Sequence, residues 1–404
     1  MTVPSRPAAR DLRIDFFRGI AMFIIFVAHV PKDSWARYIP ARFGPSDGAD
    51  IFVFCSGFAS AIAFGSVFVN RSFLLGTARI VLRFWQIYWT QICLFVVTAT
   101  VVVIANHYLD SRDYVKQLNL YPFFEDPMAG FVGLITLTYV PNYFDILPMY
   151  MMVLLMVPIA MALKRLHFGA VVAASLGLWA ASKLFGINLP ADWWSGREWF
   201  FNPLAWQLVF FTGFAFGAGW IRPPEPQRWL VLTALAFVIV MIPLSHWDTV
   251  KNIAWAQGFR QLTWDWTWGK VYYGAFRWLH LLALAYLMRC LLLGHEAILE
   301  RPWLSPIIVV GQNALAVFVV SIVLARVAGM VLDAFGRDPL TTAVVNLVGF
   351  TLLVGVARSS AWFKSNPWRR RPAPEPASPR TTEAVVRDEG TGRLQPAHAM
   401  SGTP

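Results

Sequence analysis

Apolar runs of spanning length recur along almost the whole chain, and this recurrence limits what it can fold into. A membrane-crossing helix needs about 20 mostly apolar residues. Ten segments approach or meet that requirement. They are Ile14–Pro31, Asp50–Val69, Ala78–Ala105, Asp145–Leu163, Phe168–Ile187, Pro203–Ile221, Trp229–Leu244, Tyr273–Leu293, Pro306–Val327 and Leu340–Val356. Phe131–Val140 is too short and reads as a half-span or re-entrant stretch. Pro148, Pro158 and Pro243 fall within or at the edge of spans, where neighbouring helices can satisfy the freed carbonyls. The sequence therefore predicts an all-α, polytopic transmembrane helix bundle of about ten spans.

Composition agrees with this. Of the 404 residues, 57% are hydrophobic and 14% charged, against roughly 25% charged in a soluble domain. The formal net charge of +11 would point to nucleic acid in a soluble protein. Here the Lys and Arg residues lie in short loops and tails, as cytoplasmic loop charge does. The basic positions are Arg6, Arg10 and Arg13; Arg71, Arg79 and Arg83; Lys164 and Arg165; Arg222 and Arg228; and Arg358, Lys364 and Arg369–Arg371. With ten spans they all fall on one side, and both termini are cytoplasmic. The opposite loops are mixed or acidic, with Asp110, Asp113, Glu125 and Asp126 in one. Asp192, Arg197 and Glu198 lie in another. Three domains follow: a basic N-terminal segment at 1–12, a transmembrane domain at 13–358 and a disordered cytoplasmic tail at 359–404, too polar to bury a core. The first apolar run resembles a signal peptide, but Asp15 and Arg18 interrupt it and no small-residue cleavage site follows, so it reads as a retained helix. Cys55, Cys93 and Cys290 have no paired or metal-ligand spacing.

Asp15, Arg18 and His29 lie on the first span. Eleven residues at ~100° each is three turns plus about 20°, so Arg18 and His29 share a face, separated axially by ~16 Å. Asp15 precedes Arg18 by three residues, a spacing that suits an ion pair. Ionisable residues inside a membrane are costly and commonly mark function. The bland alternatives are an Arg18 that snorkels and a His29 that sits at the outer interface. Read functionally, His29 suits removal of a proton from a hydroxyl, and Arg18 suits a phosphate or carboxylate. Both group transfer and proton-coupled transport fit.

Other polar residues could join that stripe. Asp50 can orient His29 as a carboxylate orients a catalytic imidazole, or simply complement its own helix terminus. Arg79 and Arg83 share a helical face at the cytoplasmic entry of the third span and could hold donor phosphates, or supply ordinary inside charge. Arg277 and His280 share a face of the eighth span. Gln207, Gln312 and Asn313 either line a cavity with substrate or join helices. Asp145 reads as a helix cap. The loop from Ser245 to Tyr272 holds Trp247, Trp255, Trp264, Trp266 and Trp268, which either form an interfacial belt or stack on sugar rings. No zinc-binding, P-loop or Gly-x-Ser-x-Gly pattern is present.

Arg18 followed by ten residues and His29 resembles the Arg-x10-His signature of the acyltransferase-3 transmembrane superfamily. A series of motifs resembles its OpgC branch more specifically: Asp15–Phe16–Phe17–Arg18–Gly19, Ala49–Asp50–Ile51–Phe52–Val53–Phe54 with Ser56–Gly57, Asp145–Ile146–Leu147–Pro148–Met149–Tyr150, Asn202–Pro203–Leu204–Ala205–Trp206–Gln207 and Arg277–Trp278–Leu279–His280. The resemblance runs from about Leu12 to Arg358. It implies an inner-membrane O-acyltransferase that takes an acyl group, succinyl in the OpgC branch, from cytoplasmic acyl-CoA to a hydroxyl of a periplasmic glucan. Carried over residue by residue, His29 is the catalytic base and Arg18 its signature partner. Asp15, Asp50, Arg277 and His280 match motif positions. The Arg-x-x-Arg motif of the superfamily reads Arg79–Ile80–Val81–Leu82–Arg83 here, one residue too long. The competing expectations are a transporter or flippase of an anionic metabolite and a non-catalytic partner of glucan synthesis.

Overall fold

The computed structural model describes residues 11–109 and 112–368. The expectations for Arg6, Arg10, Asp110, Arg369–Arg371 and the tail from 369 onward lie outside the described residues. Among the described residues the chain is helical, and the one extended pairing is an isolated bridge between Pro190 and Glu198.

Helix α1 spans Leu12–His29 and is capped by Asp11, whose side chain accepts the Arg13 amide. Two short 3-10 turns, Ser34–Arg37 and Pro40–Arg42, lead to α2 (Gly48–Ser60). Asp47 and Asp50 close a reciprocal capping box at its start. The helix continues through a π turn, Ala61–Gly65, into α3 (Ser66–Asn70). Next comes α4 (Phe73–Tyr108), 36 residues long. Three short helices, α5 (Tyr114–Gln117), α6 (Tyr121–Glu125) and α7 (Pro127–Thr136), connect it to α8 (Ile146–Leu166). Then follow α9 (Phe168–Leu184), α10 (Pro203–Gly217) and α11 (Arg228–Ser245). The Trp-rich loop forms α12 (Trp247–Val250), α13 (Ala254–Thr263) and a π turn at Trp264–Trp268. The chain closes with α14 (Ala275–Leu292), α15 (Ser305–Gln312), α16 (Ala314–Phe335) and α17 (Pro339–Lys364).

Each of the ten expected segments lies on helix. Among the described residues seven helices are long and apolar enough to cross a membrane: Gly48–Asn70, Phe73–Tyr108, Ile146–Leu166, Arg228–Ser245, Ala275–Leu292, Ala314–Phe335 and Pro339–Lys364. Helix α1 has 18 residues but carries Arg13, Asp15 and Arg18, and α9 and α10 have only 17 and 15 residues. Three expectations change. The ninth expected span, Pro306–Val327, is interrupted at Asn313, between α15 and α16. The half-span is α7, which stops at Leu137 with φ of 60°. The last helix runs to Lys364, past the expected domain limit at 358.

Helix α1 packs against α2, α15 and α16, which makes it a central element. Two crossings are so close that only glycine fits. A Cβ on Gly311 would collide with the Asp15 carbonyl, and one on Gly19 with the Ile307 carbonyl, so α15 lies directly on the first half of α1. Gly57 and Gly213 meet the Phe210 and Phe54 carbonyls in the same way, locking α2 to α10. One pole of the bundle gathers the end of α1, the starts of α2, α8 and α14, and the second half of α16. Contacts of His29 with Tyr143 and Arg326, and of Asp47 with Arg277, join them.

Candidate active site

His29 is the last residue of α1 and is half-buried. Its Nδ1 lies 2.6 Å from the Ile25 carbonyl oxygen, one turn back. A carbonyl only accepts, so Nδ1 carries the proton and donates it. In the neutral imidazole this selects the Nδ1–H tautomer, with the lone pair on Nε2. Among the described residues Nε2 has no hydrogen-bond partner. The imidazole is thus oriented by its Nδ1, with Nε2 left free of protein partners among the described residues.

Two neighbours surround it. The Tyr143 ring centre lies 5.5 Å from the imidazole centre, edge to face. Tyr143 stands at the tip of the segment before α8 with φ of 74°, a conformation that bulky residues rarely adopt. The flanking segment holds it there: Val140 N–H donates to Ala191 at 2.9 Å and Asn142 N–H to Leu118 at 3.3 Å. Arg197 adds bonds to the Val140 carbonyl at 2.6 Å and to Asn142 Oδ1 at 3.2 Å. The second neighbour is Arg326 of α16, whose guanidinium donates to the His29 carbonyl oxygen and lies 4.2 Å from the Tyr143 ring centre.

Beside this group is a buried charge cluster. Arg277 Nη2 donates to Asp50 Oδ2 at 2.5 Å and to Asp47 Oδ2 at 3.2 Å. Lys270 Nζ donates to Asp47 Oδ2 at 2.7 Å. Burial alone would raise the Asp47 carboxyl, but Lys270 and Arg277 hold it well below the ordinary carboxylate range. Both Lys270 and Asp47 are within electrostatic range of His29. His280 Nδ1 bonds the Ser46 hydroxyl at 2.7 Å, and Gly44 lies against the ring. Arg277 Nε and His280 Nε2 are buried without a partner, and Asp50 Oδ1 and Tyr273 Oη are buried near each other without forming a hydrogen bond of good geometry. Unpartnered buried polar atoms are rare and call for a functional explanation.

The contact expected between Asp50 and His29 is not formed. Asp50 accepts the Asp47 amide at 2.7 Å within the capping box and is paired with Arg277, so both helix-terminus chemistry and an ion pair hold it. The Ile25 carbonyl takes the orienting role instead. At the inner end, no ion pair joins Asp15 to Arg18 among the described residues. A spacing of three residues leaves their directions ~60° apart, and Asp15 is turned into the bundle, only 3% exposed, where α15 covers its backbone. Arg18 is half-buried, and its Nε is without a partner.

The remaining expected residues divide clearly. Gln207 accepts from the Ser175 hydroxyl at 2.7 Å and donates to the Ser175 carbonyl at 2.8 Å, which makes it a joint between α9 and α10. Asn313 accepts from Lys364 Nζ at 2.8 Å, joining the break before α16 to the end of α17. Gln312 follows Gly311 and so lies at the Asp15 end, not the His29 end. Arg79 is exposed over the Phe64 ring, and Arg83 donates to Gln86, so neither touches Arg18 or His29. Asp145 does not cap its own helix; its carboxylate accepts the Phe200 amide at 3.3 Å. In the Trp-rich loop, Arg260 is stacked over Trp264 and Trp268 at 5.2 and 5.4 Å.

Sequence reasoning missed Arg326 and Tyr143, and it placed Lys270 only among the polar groups of the Trp-rich loop, not beside Asp47. Lys270 and Asp47 are 223 positions apart, and no local pattern links them. Arg326 did carry a signal: an arginine inside an apolar run, one residue before the expected end of its span.

A family model described as OpgC protein matches residues 10–365. No curated protein and no solved structure matches the chain.

Proposed function

The chain belongs to the OpgC family, and from that premise we propose that it is an integral inner-membrane O-acyltransferase. Family membership suggests a membrane-embedded, glucan-modifying acyltransferase. The finer reading is that an acyl group, succinyl by family resemblance, passes from cytoplasmic acyl-CoA to a hydroxyl of a periplasmic glucan, with His29 as general base. The observation that carries this reading is the contact of His29 Nδ1 with the Ile25 carbonyl, beside a free Nε2. The Ile25 carbonyl holds Nδ1–H, and the free Nε2 is placed to take a hydroxyl proton.

The two ends of α1 divide the labour. Arg18 offers a guanidinium, whose Nε has no partner among the described residues, to an anion on the donor side. A donor bound there must present its carbonyl carbon ~16 Å further along the helix. A long, narrow arm between phosphates and thioester, as in acyl-CoA, meets that demand. The cluster of Asp47, Asp50, Lys270 and Arg277 borders the His29 end, where its unpartnered polar atoms suit the hydroxyls of a sugar acceptor.

The test is glucan mass and charge from cells carrying His29→Ala protein at normal abundance. Loss of the acyl modification is expected, and unchanged acylation sinks the role. One observation favours transport instead: the polar break at Gln312–Asn313 resembles the interrupted helices of transporters. Substrate flux in proteoliposomes lacking CoA would favour that reading.

A further inference from the structure

Arg326 is only 4% exposed, lies within an apolar helix, and has no carboxylate partner among the described residues. A buried, uncompensated guanidinium is costly. Part of its role is structural, since it donates to the carbonyl of His29, where the last turn of α1 leaves acceptors unpaired. That contact uses one of five N–H groups, and the Tyr143 hydroxyl lies within reach of the same guanidinium. Its Nε–H remains buried without an acceptor, and the guanidinium and the His29 imidazole flank the same Tyr143 ring, 4.2 and 5.5 Å from its centre. A fixed cation beside a free base, with no resident anion, fits an oxygen that becomes negative only during reaction.

We propose that Arg326 is a catalytic residue that stabilises the oxyanion formed on the transferred acyl group. This rests on the reading of His29 as the base for acyl transfer. In the step, the acceptor O–H gives its proton to His29 Nε2, and the oxygen forms a bond to the thioester carbonyl carbon. The carbonyl π pair moves onto its oxygen, which Arg326 binds. Collapse re-forms the C=O, breaks the C–S bond, and the leaving thiolate takes the proton back from His29. The products are an ester and a free thiol, with no net redox change. Arg277 is a weaker candidate because Asp47 and Asp50 already neutralise it. Gln312 lies at the Asp15 end of α1, ~21 Å along the helix from His29.

The experiment uses the purified full chain with succinyl-CoA as donor and a soluble glucan as acceptor. Arg326→Gln keeps a donor for the His29 carbonyl but removes the charge. Expected is a fall in kcat of about 100-fold or more, with both KM values within about threefold and an unchanged melting midpoint. Arg326→Ala should regain part of its turnover when low-millimolar guanidinium is added, and ammonium should restore less. Wild-type kcat in folded Arg326→Gln overturns the proposal. So does a loss that follows a lowered melting midpoint and is not restored by guanidinium. If Arg326→Ala does not fold, the kcat of Arg326→Gln decides. His29→Ala separates the two claims. Should it be inactive while Arg326→Gln is fully active, only the oxyanion role fails; should it stay active, the base reading itself fails.

Discussion

Removing Arg277 should harm the fold more than removing Asp50, although the two are paired. Asp50 is fully buried and the Arg277 side chain is 7% exposed, with 2.5 Å between Nη2 and Oδ2. The local cluster holds two carboxylates, Asp47 and Asp50, and two cations, Lys270 and Arg277. Arg277→Met leaves two buried carboxylates three residues apart facing Lys270 alone. Breaking a buried pair in this way costs about 3–5 kcal/mol. Asp50→Asn is milder. The amide can still accept from the Asp47 amide, and Arg277 keeps Asp47 at 3.2 Å. The loss is about 1–3 kcal/mol, that of a charged hydrogen bond. Asp50→Leu with Arg277→Met should cost less than the sum of Asp50→Leu alone and Arg277→Met alone, because no lone charge remains from that pair. The assay is a denaturing-detergent titration of the full chain in mixed micelles, followed by circular dichroism. Equal losses for Arg277→Met and Asp50→Asn, or additive losses in the double variant, would refute the reasoning.

Three further outcomes follow from particular contacts. Arg18→Gln removes a guanidinium whose buried Nε has no partner among the described residues, so the melting midpoint should hold or rise, while KM for acyl-CoA rises about 10- to 100-fold; steady-state kinetics with an unchanged KM contradicts the donor role. Gly213→Val should cost about 1–3 kcal/mol through collision with the Phe54 carbonyl, read as a lowered melting midpoint, whereas Gly177→Val, in open space, should not. Asp192 in the loop before α10 is pulled below the ordinary carboxylate range: burial opposes this, but bonds from Ser195 and Arg197 outweigh it. Its stabilisation is therefore complete above its unfolded value, ~3.9, and lost as pH falls through the lower folded value. Melting curves between pH 5 and pH 2 should show that loss, and Asp192→Asn should flatten it.

The bundle was readable in sequence because lipid imposes a length and a composition on each span. The breaks were harder to read. The interruption at Asn313 lies between two apolar stretches, and hydropathy averages across it. The stripe on α1 was visible because three charged or titratable side chains stand out in an apolar run and helical period relates them. Its partners were not, because they are tertiary. Tyr143 reaches His29 only through a turn that Arg197 pins from a distant loop, and Lys270 reaches Asp47 across most of the chain. The sequence motif around Asp50 suggested an orienting carboxylate. The capping box and Arg277 claim it first, since an N-terminal helix carboxylate and a facing arginine satisfy each other locally. The span containing Arg326 ended, on apolarity alone, at the next residue, so nothing set the arginine apart as a site residue.

The most direct test of the central claim is a single-turnover measurement of acyl transfer from acyl-CoA to a glucan hydroxyl by purified wild-type and His29→Gln protein, folded to the same melting midpoint. The account predicts a fall of about 100- to 10,000-fold in the transfer rate, the contribution of a positioned general base, with donor binding unchanged. Transfer at the wild-type rate by folded His29→Gln would contradict it.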